Sequence, residues 1–238
     1  MNKNTKRILS QCFEAPAPQK KKDFLNSIPM PSVTYWEFVY SQIAYIRKWI
    51  WGFSALVFGI AFIGAEYLEK DMLWCISAFM PLLALSIITE NGRSECYGMA
   101  ELELSTRFSL KNVVLARLGV LGFANLVLIG LLVPLAYRNS STSVLQTSIY
   151  MLCPYLLTVF LGLWATRKVR GRGSSYLCAG IAVSVSFGNV MLHYSFWFFY
   201  ARHHFVWWIA AFVLLAAGTA NQCLKTIKQT EELAWNLS

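Results

Sequence analysis

Residues 90–117 read ENGRSECYGMAELELSTRFSLKNVVLAR. Charged and polar positions crowd the segment as far as Lys111, and long apolar runs flank it on both sides. A polar insert this short between two such runs reads as a turn of the chain at a membrane face. The proline-free stretch Arg93–Leu104 predicts a helix. Phe108 and Ser109 break that pattern, and Ser109 suits the N-cap of a new helix that continues through Leu110 and Lys111. Leu102, Leu104 and Phe108 offer apolar contacts, while Glu101, Glu103, Arg107 and Lys111 offer charged ones. Such a knob fits a groove on a soluble partner. It equally fits an interfacial helix that merely joins two spans, and the residues alone leave both readings open.

The rest of the chain has the composition of a membrane protein. Of 238 residues, 56% are hydrophobic and 14% are charged, with a mean hydropathy of +0.46. Soluble domains carry about a quarter charged residues. Runs near the roughly 20 residues needed to cross a bilayer predict an all-α protein with six spans, at about 49–65, 72–89, 112–136, 145–166, 175–197 and 205–223. Before them, residues 34–48 mix Trp36, Phe38 and Ile43 with Glu37, Arg47 and Lys48. This pattern predicts an amphipathic helix in the headgroup layer. Residues 1–33 form a basic tail interrupted by Pro16, Pro18, Pro29 and Pro31. Residues 224–238 are expected as a second tail.

The 21 Lys and Arg residues set the orientation. With six spans, all except Lys70, Arg138 and Arg202 fall on the side that holds both termini. The positive-inside rule makes that side the cytoplasm of a multi-pass cell-membrane protein. In this setting the net charge of +9 is a topology signal first and only second a hint of nucleic-acid or anionic-lipid binding, and no nucleic-acid partner is expected.

Catalytic and metal motifs are missing from the sequence. It holds no GxxxxGK[ST], HExxH or GxSxG. Cys12, Cys75, Cys96, Cys153, Cys178 and Cys223 form neither a CxxC pair nor a set with histidine at metal-ligand spacing. Glu231-Glu232 and His203-His204 read as solvated loop or tail. Polar residues inside spans are the default functional suspects, and Asn125, Asn189 and His193 are the pathway candidates. Asparagines in membranes also bind helices to one another.

The segment Gly98-Met-Ala-Glu101-Leu-Glu103-Leu104-Ser-Thr106-Arg107-Phe108-Ser109, followed by Val114-Leu-Ala-Arg117, resembles the cytoplasmic loop of ABC-2 type transporter permeases. That family carries a G-T-L-E-x-L-L-x-T-P-x-S pattern, then an apolar stretch that ends in a basic residue. Gly98, Glu101, Leu104, Thr106 and Ser109 match it, and Arg117 matches the basic position. Met99-Ala100 stands in for Thr-Leu, Glu103 for an apolar residue and Arg107 for proline. The family layout of an interfacial helix and six spans covers residues 34–223.

The resemblance implies a permease half of an exporter with a second permease chain and a separate ATPase subunit, which holds the ATP and Mg. This chain itself carries no cofactor and no enzymatic activity. The helix around Glu95–Ser105 becomes the coupling helix, held in register by Glu101. Arg117 then sits at the headgroup level, or meets Glu90 or Glu95, and Trp36, Arg47 and Lys48 mark the membrane interface. The alternative is a membrane-anchored regulator that holds a cytosolic partner through its N-terminal tail.

Overall fold

The computed structural model describes residues 34–67, 73–91, 110–138, 143–169, 173–195 and 204–236. Among these the chain is all-helical. Its helices are α1 (Tyr35–Tyr45), α2 (Lys48–Tyr67), α3 (Leu73–Asn91), α4 (Leu110–Arg138), α5 (Val144–Lys168), α6 (Gly173–Ser195) and α7 (Phe205–Asn236). Four of them, α4 to α7, are long and apolar enough to cross a membrane. Helices α1 and α2 meet at a 79° bend and pass the same test together as one broken span. The apolar stretch of α3 is shorter, Cys75–Glu90. The molecule is thus a helical membrane protein.

The chain divides into two units, Met1–Glu37 and Phe38–Ser238. Of the first, residues 34–37 are described. There the Thr34 backbone N–H donates to Glu37 Oε2 at 3.0 Å. This is half of a capping box, with Glu37 at the third helical position, and it explains where α1 starts.

In the second unit, α5 begins at Ser143, whose Oγ accepts from the Gln146 backbone N–H. It ends with Arg167 and Lys168 in its last turn, where cations complement the helix dipole. Helix α7 runs past the expected boundary at Cys223 to Asn236. The extension, KTIKQTEELAWN from Lys225, holds neither Gly nor Pro and is rich in helix formers, so nothing in it ends the helix.

The core lies between α3 and α5. Helix α3 packs against α2, α4, α5 and α6, and α5 packs against α3, α4, α6 and α7. Met80, Leu83, Ala84 and Ile88 of α3, and Met151 and Leu163 of α5, are fully enclosed. The two helices approach closely at Gly162, where an added Cβ would run into the side chain of Ile88. Small residues at such crossings let membrane helices gain dispersion contacts that lipid tails cannot match.

Proline shapes the same pair. Pro154 lacks an N–H, so the carbonyl four residues earlier, on Tyr150, has no donor within its helix. Ser77 Oγ of α3 donates to that oxygen at 2.8 Å, and the Thr158 hydroxyl donates to Pro154 O at 2.8 Å. Side chains thus satisfy backbone groups that no water reaches.

Candidate functional site

The expected coupling residues Glu95, Gly98, Glu101, Glu103, Leu104, Thr106, Arg107, Phe108 and Ser109 lie outside the described residues. The frame that holds them is described. Helix α3 ends at Asn91 and α4 starts at Leu110, and the two helices pack against each other. Asn125 of α4 sets their register, because its Nδ2 donates to Leu83 O at 3.0 Å and to Ser86 Oγ at 3.2 Å. At about 1.5 Å per residue, Glu90 and Arg117 then both sit roughly 10 Å from that contact, towards the 92–109 segment. Glu90 is 1% exposed and Arg117 is 5% exposed. Charges this deep within protein are stable only when engaged, and each has a partner.

One contact of Arg117 is with α1. Its guanidinium carbon lies 4.9 Å from the centroid of the Tyr45 ring, a cation–π arrangement. Two turns earlier on α1, Phe38 is buried together with Val113 and Ala116 of α4. Helix α1 therefore grips the first two turns of α4 from Phe38 to Tyr45. Arg117 is enclosed by protein. Trp36, Arg47 and Lys48 are exposed.

Both pathway asparagines serve as ties between helices. Asn125 joins α4 to α3. Asn189 Nδ2 of α6 donates to Ser77 Oγ at 3.0 Å, and Ser77 itself donates to the carbonyl that Pro154 leaves free. Gln146 Nε2 donates to the Tyr150 hydroxyl at 2.8 Å, and the Tyr150 ring meets Trp208 of α7 edge-on at 4.9 Å. Helices α3, α5, α6 and α7 thus converge on one buried cluster. His193 is half-buried beside Tyr194, with the rings 6.2 Å apart.

Sequence reasoning missed Ser77, Ser86, Gln146, Tyr150 and the Phe38–Tyr45 grip. The signal for Ser77 was the proline in α5, which announces an orphan carbonyl, although nothing in the sequence says which serine answers it. Among the described residues no three His, Cys, Asp or Glu side chains gather as a metal site would require.

Comparison of the chain with family models, curated proteins and solved structures found no match in any of the three.

Proposed function

We propose that the chain is the permease subunit of an ABC-2 type exporter. In this reading it has six spans with both termini in the cytoplasm, and it assembles with a second permease chain and a separate ATPase subunit that binds ATP and Mg. The observation that carries the proposal is the motif from Gly98 to Arg117, set between two helices that are locked side by side. Its Gly98, Glu101, Leu104, Thr106, Ser109 and Arg117 follow the family pattern.

The described frame supports a route for force. A push on the 92–109 segment acts on the ends of α3 and α4. Helix α3 touches four other helices, so its displacement spreads through the bundle. The α1 grip on Val113 and Ala116, and the Tyr45 ring on Arg117, couple the headgroup-level helix to the same motion. On this reading Glu101 pairs with a basic residue of the ATPase or nearby and holds the coupling helix in register. Alternating between two arrangements requires such packed, discrete contacts and no single wire of residues.

The test is Glu101→Ala in the assembled transporter. Transport should be lost while ATP hydrolysis and the amount of folded protein persist; unchanged transport would remove Glu101 from the role. Purification of the tagged chain from native membranes should also bring down a stoichiometric P-loop ATPase. If a non-ATPase partner that depends on residues 2–30 comes down instead, the chain is a membrane-anchored regulator.

A further inference from the structure

Helices α5 and α7 run in the same direction. The Cys153 thiol of α5 points to Trp208 O of α7 at 3.8 Å, and further along Phe160 lies against Gly218, where an added Cβ would stand 3.1 Å from its ring. Seven residues are close to two helical turns and return to nearly the same face. Seven residues on from Phe160 is Arg167, and seven on from Gly218 is Lys225. Arg167 and Lys225 thus follow on the same helix faces as Phe160 and Gly218, about 10 Å beyond that contact and within about one turn of each other in level.

Like charges that face each other at a membrane boundary call for a counter-anion, and the two helices do not supply one here. Neither α5 nor residues 205–229 of α7 hold an acid. Arg167 Nε is buried without a hydrogen-bond partner among the described residues, and so is Gln222 Oε1, one turn before Lys225. Gln222 is 8% exposed. Beside Arg167, Lys168 Nζ sits 4.9 Å over the ring of Trp164, whose flank is exposed for contact with an acyl chain. The arrangement therefore has phosphate-binding cations beside an exposed apolar wall. Basic pockets between spans on the cytoplasmic side take anionic headgroups in this way.

We propose that the seam between α5 and α7 holds the headgroup of an anionic phospholipid. Its phosphate lies between Arg167 and Lys225, and Lys168 and Trp164 border its glycerol and upper chain. A phosphate accepts two parallel N–H bonds from a guanidinium, which Arg167 can offer. Occupancy of the site does not depend on the transporter reading.

The experiment is native mass spectrometry of the full chain released from nanodiscs with equal phosphatidylglycerol and phosphatidylcholine. The wild type should retain phosphatidylglycerol preferentially. Lys225→Gln, at an exposed position that leaves the fold intact, should lower the retained fraction about fivefold, the effect of one cation near a lipid surface. Arg167→Gln should lower it further, and Arg167→Lys should recover part of it. Removing the same charge with Lys20→Gln should change nothing. Equal retention in wild type and Lys225→Gln, or an equal loss with Lys20→Gln, would overturn the site. Inorganic phosphate that displaces the lipid and alone gives the same thermal protection would overturn a lipid occupant in favour of a free anion.

Discussion

Helices α5 and α6 are similar in length and apolar content, yet their surroundings differ sharply. The spanning stretch of α5 is 61% buried inside the molecule, and that of α6 is 11% buried. What separates them is steric fit and hydrogen bonding. The glycine of α5 at 162 has Ile88 against it, while Gly180 and Gly188 of α6 have nothing within 4 Å of an added Cβ. Helix α5 accepts a hydrogen bond at a carbonyl that its own proline vacated. In a bilayer, lipid is as apolar as leucine, so hydrophobicity does not sort centre from edge. Close approach and polar ties do.

The largest test of this contrast is Gly162→Val. Overpacking a tight core costs about 3 kcal/mol at the upper end of the usual range, so thermal unfolding in detergent should show a large drop in midpoint, with poor recovery of monodisperse protein. Adding Ile88→Ala should restore much of the loss, because Ile88 is the side chain that the new group strikes. If Gly162→Val is neutral, α3 and α5 are not a tightly joined pair.

The proline tie comes next. Ser77→Ala leaves the Tyr150 carbonyl without its donor, at a cost of about 1.5 kcal/mol for a buried unsatisfied acceptor. Pro154→Ala supplies a backbone N–H to the same oxygen. In a double-mutant cycle the Ser77→Ala penalty should therefore shrink in the Pro154→Ala background. Additive effects would mean that the Ser77 hydroxyl matters only as the acceptor for Asn189.

Those interactions also show where the sequence stopped being informative. The helices were legible because a folded chain uses apolar runs of spanning length for little besides membrane helices, and their ends fell within a few residues of expectation for α3 and α6. Helix α7 continues beyond the expected span end at Cys223, because hydropathy falls there while helix propensity does not. The faces were not legible. Runs such as LWCISAFMPLLALSIIT are apolar around the whole helix, so no stripe marks the buried side. Arg117 drew notice as a charge beside an apolar stretch, but its enclosure by Tyr45 depends on how α1 folds back, which no spacing encodes. Asn125 and Asn189 stood out as polar residues inside spans, and the coordinates show which helices each of them joins.

The two asparagines carry the contrast into a third test. Asn125 makes two side-chain bonds to α3 and is 1% exposed. Asn189 donates to Ser77 and is half-buried. Replacement by Leu should cost about 1 kcal/mol at Asn125 and about half that at Asn189, within the range measured for polar ties in membranes. A reversed order in unfolding midpoints would place the firmer joint at the edge of the molecule.

The smallest expected effect is the sharpest in sign. Gly180→Ala and Gly188→Ala on α6 add a methyl group where the chain itself leaves open space. Alanine is also the better helix former, so each change should leave stability unaltered or raise it by about 0.5 kcal/mol. That is opposite to the result at Gly162, although the residue type and the setting in an apolar helix are shared. The outcome depends on what lies outside α6. Against lipid the added methyl group is harmless, because acyl chains flow around it. Against a second packed helix it would separate the two backbones and cost stability. A drop in midpoint, together with a shift of the purified protein towards smaller particles, would therefore show the outer face of α6 to be covered by another chain. The division into centre and edge would then hold for the single chain but not for its assembly.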